Sequence, residues 1–181
     1  MVLALTQQHL SEMSAHAERV YPEECCGLML GEMESASSPH KQLFALVPVD
    51  NQWSAAHQWA KGSDQQPDAQ QLHSQQSVEE TLTKERRYAI DPKDMLRVQK
   101  HARERGLKII GVYHSHPDHV AIPSECDRAQ AWSAYAYPIV SVQKGKAVDI
   151  RNWALDSDHQ FQPEAMQVIP SSVTDRMPLP A

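Results

Sequence analysis

The sequence predicts an α/β protein in which helices flank a mixed β-sheet. Short apolar runs typical of buried strands are interspersed irregularly with segments of helical periodicity, and no internal repeat is present. The length of 181 residues suits one domain. A chain of this size buries roughly two-thirds of the surface that its unfolded form exposes, so it can fold without disulfides.

The first helix is expected at residues 6–20. Thr6 can cap its N-terminus, and Pro22 ends it because the residue before a proline avoids helical backbone angles. Apolar residues recur here at the three- and four-residue steps that one buried helix face requires: Leu10, Met13, Ala17 and Val20.

Two further helices are expected in the second half of the chain. Asp91 can cap one of them, Pro92 suits its first helical position, and Gly106 is a natural residue to follow its last turn. The other should begin near Ser124, whose hydroxyl is a typical helix cap.

Apolar runs bounded by turn residues predict the strands of the sheet. A polar turn at residues 37–39 should join the first two strands, and Lys144-Gly145-Lys146 should join two later strands as a hairpin. We expect strands at residues 26–31, 43–49, 107–113, 138–142, 147–155 and 161–169.

A polar stretch at about residues 52–84 interrupts this pattern. It holds eight glutamines, and its large apolar residues are isolated, so it cannot bury enough surface to offset the entropy of ordering. We therefore expect one domain at residues 1–170 that carries this stretch as an insertion, followed by a loose tail at 171–181. His57 and His73 lie within the insertion and are not chosen as site residues.

Charge and composition exclude several classes of function. The net charge is -6 without a basic stripe, which argues against nucleic-acid binding. No run of about 18 apolar residues predicts a membrane span, and the first residues do not resemble a signal peptide. Three cysteines, Cys25, Cys26 and Cys126, make a poor disulfide framework. These features predict a cytoplasmic protein with reduced thiols.

The chemically informative segment begins where the third expected strand ends. His114 and His116 are two residues apart, so an extended backbone points both imidazoles to the same face. Pro117 then ends the strand. A pair of this kind alone is more often an ordinary pair of surface or hydrogen-bonded histidines than a pair of metal ligands.

A carboxylate follows at a suitable distance. Asp127 lies eleven residues after His116, which leaves enough chain for a loop and the first turn of a helix. Two imidazoles and a carboxylate are a common ligand set of catalytic zinc. Ser124 and Asp127 are also spaced as a helix cap with an acidic third residue. The two interpretations compete for Asp127, because a carboxylate bound to zinc should not fold back to the cap.

The full spacing resembles the signature of the JAMM/MPN+ metalloprotease family: His-x-His, seven residues, Ser, two residues, Asp. The resemblance implies a JAMM/MPN-like, cytidine-deaminase-like fold. It also implies one Zn2+ per chain, held by His114, His116 and Asp127, with the Ser124 hydroxyl helping to stabilise the oxyanion. Cys126, next to a ligand, is expected to be a buried thiol that points away from the metal.

The family also uses a glutamate as the catalytic base. Residues 22–31 resemble the Pro-x-Glu-x-Cys-Gly pattern of small prokaryotic members, and this alignment selects Glu24. Glu23 is the alternative, but it is one residue out of phase and should face the opposite way. With Glu24 as base, the resemblance implies a water-mediated amide hydrolysis without a covalent intermediate.

The resemblance further implies a metallopeptidase or isopeptidase that acts on the C-terminal tail of a ubiquitin-like or sulfur-carrier protein. A non-catalytic MPN-type scaffold and a zinc amidohydrolase for another substrate remain alternatives. The insertion at residues 52–84 departs from the compact members of the family, and we expect it to shape the substrate groove. The chain is expected to be a monomer or a homodimer.

Overall fold

The structure is a computed structural model, and it describes residues 2–35, 40–54 and 83–171. These residues form eight strands and three helices. The helices are α1 (Gln7–Val20), α2 (Pro92–Glu104) and α3 (Glu125–Gln130). The strands are β1 (Val2–Thr6), β2 (Cys26–Glu32), β3 (Lys41–Val49), β4 (Lys108–Pro117), β5 (Tyr137–Gln143), β6 (Lys146–Leu155), β7 (Phe161–Pro163) and β8 (Ala165–Ile169).

All eight strands belong to one mixed sheet with the order β7-β6-β5-β4-β2-β3-β1-β8. Four neighbouring pairs are antiparallel, namely β2–β3, β2–β4, β5–β6 and β6–β7. The pairs β1–β3, β1–β8 and β4–β5 are parallel. The α/β class with a mixed sheet, predicted from the sequence, is confirmed.

The sheet curls until its two edges approach each other. Strand β7 ends at Pro163 on one edge, and β8 begins at Ala165 on the other, so Glu164 alone separates them. The Glu164 carboxylate is buried against Lys41 of β3, with Nζ–Oε1 at 2.9 Å. Because Lys41 is near one edge and β7 forms the other, this ion pair ties the curled sheet together.

The two faces of the sheet pack against different helices, which buries both faces. Met13 and Ala17 of α1 join a core that includes Met29 and Ile110 of the sheet. On the other face, Val98 and Ala102 of α2 join a second core. The sheet residues of that second core include Leu28, Leu30 and Val112. Neighbouring residues along β2 and β4 therefore alternate between the two cores, as strand geometry requires.

Both long helices begin at the residues that the sequence predicted. The Thr6 hydroxyl accepts a hydrogen bond from the His9 amide, and the His9 ring accepts one from the Thr6 amide. The Asp91 carboxylate accepts one from the Lys93 amide, with Pro92 at the start of the helix. The predicted hairpin is also confirmed as β5–β6.

One expected strand was wrong, and one observed strand was not predicted. Residues 161–169, expected as one strand, form β7 and β8 on opposite edges of the sheet. Strand β1 was not predicted, because its parallel pairing with β3 and β8 depends on distant parts of the chain. The turn expected at 37–39 lies outside the described residues, as do residues 55–82 of the insertion and 172–181 of the tail. Within the part that the structure describes, no helix is long and apolar enough to cross a membrane.

Candidate active site

Strand β4 carries both histidines to the centre of the sheet. His114 lies between Cys26 of β2 and Ile139 of β5, and His116 pairs with Ser141 of β5. Both side chains are buried, His114 completely. Strand β4 ends at Pro117, the residue expected to stop it, and so continues past the strand expected at 107–113. Both histidines therefore lie within regular strand backbone, and their rings share one face.

Asp127, in the first turn of α3, completes a compact group with the two imidazoles. The two Nε2 atoms are 3.1 Å apart, and the Asp127 carboxylate oxygens lie 3.4 Å from His114 Nε2 and 3.7 Å from His116 Nε2. Tetrahedral zinc with bonds of ~2.1 Å places its ligand atoms ~3.4 Å apart. The spacing of the three donors therefore fits one zinc ion.

The helix cap and the metal-ligand geometry coexist at Asp127. Its Oδ2 atom accepts hydrogen bonds from the amide and hydroxyl of Ser124, at 2.6 and 2.7 Å. Its Oδ1 atom is the one that lies 3.4 Å from His114 Nε2. The capped carboxylate still turns Oδ1 toward the imidazoles, because a carboxylate has two oxygens that can face different partners. The competition expected between the two roles stays a prediction.

The two imidazoles are held by different means. His116 Nδ1 lies 2.9 Å from the Val120 carbonyl, and because a carbonyl only accepts, Nδ1 carries the proton. In the neutral ring, Nε2 then has a lone pair that faces His114 and Asp127. His114 Nδ1 has no hydrogen-bond partner among the described residues. Instead the Tyr88 ring stacks on His114, with centroids 4.6 Å apart. Burial lowers the pKa of His114 to about 4, which favours the neutral form that binds metals.

Glu24 and Glu23 occupy different environments. Glu24, just before β2, is 5% exposed, and its backbone is held by a hydrogen bond from its amide to the Lys84 carbonyl at 2.7 Å. Burial is the main cause that raises the pKa of Glu24 to about 8, and the negative charge of Asp127 adds to it. Glu23 is exposed, and its carboxylate lies 3.9 Å from Lys84 Nζ.

A cleft of about 330 Å³ opens beside the cluster. It is large enough for a small ligand or part of a peptide. Its walls combine three of the residues chosen from the sequence with two arginines and two exposed apolar side chains. The lining residues are Glu24, His116, Ser124, Arg86, Arg87, His119, Val120 and Ile122.

Asn51 is a residue of this site that the sequence analysis missed. Its side-chain amide donates to the carbonyls of Glu24 and Arg87, at 3.0 and 2.9 Å. Its side-chain oxygen accepts from the amides of Trp53 and Ala89, at 3.0 and 3.2 Å. One buried side chain therefore joins three separate segments around the cleft. The available signal was a polar residue two positions after the end of an apolar strand.

The cysteines are not part of the cluster. Cys25 and Cys26 are buried and unpaired, and burial raises the pKa of Cys25 to about 12, so that thiol is inert at neutral pH. Cys126 is partly exposed and lies 3.6 Å from Gln130 Nε2, so the expectation of a buried thiol was wrong. Residues in the first turn of a short surface helix have little protein above them to cover their outward side chains.

The sequence model of one family, described as prokaryotic homologs of the JAB domain, matches residues 6–156. The chain belongs to this JAMM/MPN family. The match includes every residue of the cluster and cleft described above and most of the sheet. It also bears out the resemblance inferred from the His-x-His signature.

Individual relatives agree with this assignment. A solved protein of Salinibacter ruber is 30% identical, with 96% of this chain and 94% of that chain covered and a TM-score of 0.60. A solved protein of Desulfitobacterium hafniense shares the fold, with 24% identity, 94% of each chain covered and a TM-score of 0.65. Desampylase of Haloferax volcanii is 36% identical over 55 residues, which are 30% of this chain and 40% of that protein. The match thus spans less than half of that relative.

Proposed function

We propose that this protein is a zinc-dependent metallopeptidase that hydrolyses an amide bond at the C-terminal tail of a ubiquitin-like or sulfur-carrier protein. The observation that carries the proposal is the convergence of His114, His116 and Asp127 next to a cleft that His116 and the buried Glu24 line. The local likeness to desampylase supports a ubiquitin-like substrate.

The donor set favours a divalent cation. Ligand atoms of the three residues all lie within 4.8 Å of one another, and no lysine or arginine pairs with Asp127 among the described residues. His116 lines the cleft, so the cluster is accessible to a ligand from that side. Zinc bound there supplies Lewis-acid activation of a carbonyl group and of a water molecule.

Glu24 is placed to move the protons of the reaction. It lines the same cleft as His116, and its raised pKa lies near neutral pH, where a carboxyl group can both take up and release a proton. Glu24 takes the proton of the attacking water. It then delivers that proton to the departing nitrogen as the C–N bond breaks.

Ser124 is proposed to stabilise the oxyanion. Its hydroxyl lines the cleft and donates to Asp127 Oδ2. To serve the reaction the hydroxyl rotates and donates to the developing negative charge, and well-aimed donors of this kind are worth about 3–4 kcal/mol in the transition state. The cap is retained during this rotation, since the Ser124 amide also donates to Asp127.

Metal analysis combined with a matched pair of variants tests the proposal. We expect one zinc per chain in the wild-type protein and in Glu24→Gln, because Glu24 is not a ligand. The Glu24→Gln variant should lose hydrolysis of ubiquitin-like carriers with C-terminal extensions by roughly 10²–10⁴-fold, as read by mass spectrometry. Glu23→Gln, which changes an exposed carboxylate one residue away, should keep full activity.

Two outcomes would contradict the proposal in different ways. Wild-type protein that binds zinc but cleaves no carrier would support a scaffold or a hydrolase for another class of amide. Normal hydrolysis by Glu24→Gln would show that another group acts as the base.

A further inference from the structure

We propose that Arg86 and Arg87 form a subsite for the free α-carboxylate of a short leaving segment, so that the enzyme removes the last residues of a protein tail. The inference rests on the proposed function, because it names the substrate class of the same cleft. It distinguishes a carboxyl-terminal trimming enzyme from one that cleaves the isopeptide bond of a lysine side chain.

The two arginines belong to the cleft itself. Both line the cavity that contains Glu24 and Ser124, and neither forms an ion pair with a carboxylate among the described residues. The nearby Lys84 differs, since it lies 3.9 Å from a Glu23 oxygen. The chain carries a net charge of -6, yet this wall of the cleft carries two cations that no carboxylate in the described part of the chain approaches to ion-pair distance.

The backbone of this wall is fixed. The Arg87 carbonyl accepts a hydrogen bond from the Asn51 amide at 2.9 Å, and Arg87 Nη1 donates to the Arg86 carbonyl at 2.8 Å. The guanidinium of Arg87 has five N–H donors, so several stay available for a ligand. Its charge also acts on Glu24, where it lowers the pKa against the larger, opposite effect of burial.

The chemistry of hydrolysis indicates which anion the arginines bind. Water adds its hydroxyl to the scissile carbonyl and its proton, through Glu24, to the departing nitrogen. When the leaving group is a short C-terminal segment, it carries a free α-carboxylate close to that nitrogen. Arginine binds carboxylates with paired, charge-assisted hydrogen bonds. A lysine side chain that leaves an isopeptide bond carries no free carboxylate near its nitrogen.

The dimensions of the cleft agree with a short leaving segment. Its volume of about 330 Å³ is at the lower end of the range for ligand sites. The exposed Val120 and Ile122 line the same space, so an apolar side chain of the ligand finds a partner there. A carboxylate bound by the arginines is therefore held close to the catalytic groups.

Three matched probes test the inference with the zinc-loaded protein. They are labelled peptides that end in Gly-Gly-Ala with a free carboxylate, the same peptide as its C-terminal amide, and Gly-Gly joined to the Nε atom of a lysine amide. We expect kcat/KM for the free acid to exceed that for the other two by about tenfold or more, as for hydrogen bonds to a charged group.

Variants then assign the preference to the arginines. Arg87→Gln and Arg86→Gln should lower the ratio of kcat/KM for the free acid to kcat/KM for the amide by about tenfold, toward one. Arg103→Gln is the control, because Arg103 lines a different groove on α2 and keeps its charge away from the cleft. Equal cleavage of acid and amide by the wild-type protein would overturn the inference, as would an acid-to-amide ratio that stays at the wild-type value in the arginine variants.

Binding separates a failure of this inference from a failure of the proposed function. Fluorescence anisotropy on zinc-loaded Glu24→Gln should show the free acid binding about tenfold more tightly than the amide, with the difference lost in Arg87→Gln. If no probe is cleaved but this binding preference holds, the subsite stands and the proposed reaction is wrong. Cleavage or binding without any carboxylate preference refutes the subsite alone, and would favour an acidic surface of the carrier as the partner of the arginines.

Discussion

Two buried polar clusters in this protein differ in how their charges are balanced. In the first, Lys41 Nζ lies 2.9 and 3.3 Å from the two oxygens of Glu164, and Asn152 donates to the same carboxylate at 2.9 Å. One cation and one anion compensate each other there. In the second, two imidazoles surround a carboxylate, with no lysine or arginine paired to it among the described residues.

The difference indicates the role of each cluster. Burying a charge is costly unless a partner compensates it, so a closed pair such as Lys41–Glu164 suits a structural tie between distant strands. In the second cluster, the lone pairs of the metal-ligand atoms face one another and repel. A bound cation would offset this repulsion. The closed cluster, Lys41 with Glu164, should therefore matter for stability. The open cluster, His114 and His116 with Asp127, should matter for metal binding and activity.

The largest effect is expected when a donor is removed from the open cluster. Asp127→Asn replaces the only carboxylate among the three donors with a neutral amide, which is a poor zinc ligand. Zinc content measured by mass spectrometry should fall below a tenth of the wild-type value, and activity should fall by about three orders of magnitude. Cys126→Ala, at a partly exposed neighbouring position, should keep both the zinc and the activity.

Removing one charge from the closed cluster should instead destabilise the fold. Lys41→Met leaves Glu164 buried without its cation, and such changes cost about 3–5 kcal/mol of unfolding free energy. Urea denaturation should show this loss, while zinc bound per folded chain stays unchanged. The double variant Lys41→Met/Glu164→Gln should recover part of the lost stability. A stability loss that is larger in the double variant would contradict the closed-pair interpretation.

Asn51 should affect activity because it positions Glu24 beside the open cluster, although Asn51 is not a metal ligand. Asn51→Ala removes the hydrogen bonds that hold the Glu24 carbonyl and the segment around Arg87. For the C-terminal amide peptide, which does not use the arginine subsite, we expect kcat to fall by about tenfold to a hundredfold with little change in KM, because a small misplacement of a catalytic group has effects of this size. Zinc content should stay near the wild-type value.

A double variant tests whether Asn51 acts through Glu24. In a Glu24→Gln background, Asn51→Ala should lower the residual rate little further, because the group that it positions is already disabled. The destabilisation that Asn51→Ala causes should persist in both backgrounds. Equal rate losses in both backgrounds would assign Asn51 a general structural role.

The smallest expected effect concerns pH. His16 is buried against the Tyr113 hydroxyl at 2.9 Å, and burial lowers its pKa to about 4 from an ordinary value of 6.5. Between pH 6.5 and 4 the unfolded chain therefore binds more protons at this residue than the folded chain, so stability falls as the pH drops through this window. This pKa shift limits the contribution of His16 to the pH-dependent change in unfolding free energy to about 3 kcal/mol at most.

Substitution of His16 separates this contribution from that of other groups. Urea denaturation of His16→Gln at several pH values should show a shallower loss of stability between pH 6.5 and 4. An unchanged slope in His16→Gln would contradict the neutral, buried state of this imidazole.

Sequence-based expectations held best where the deciding contacts are local. The caps at Thr6 and Asp91 depend on residues within three positions of each other, and both were predicted. The position of the two histidines on one face follows from the two-residue period of β4. The coexistence of cap and ligand geometry at Asp127 was missed, because it depends on how α3 approaches the end of β4.

The sequence by itself determined the α/β class, the long helices, the β5–β6 hairpin and the His-x-His spacing, because periodicity and capping act between neighbouring residues. Only the tertiary structure decided the curled sheet and the walls of the cleft. Lys41 and Glu164 are 123 positions apart, and Asn51 is 27 positions from Glu24. Contacts of this kind form only after long loops close, and their geometry depends on the packing of the whole sheet.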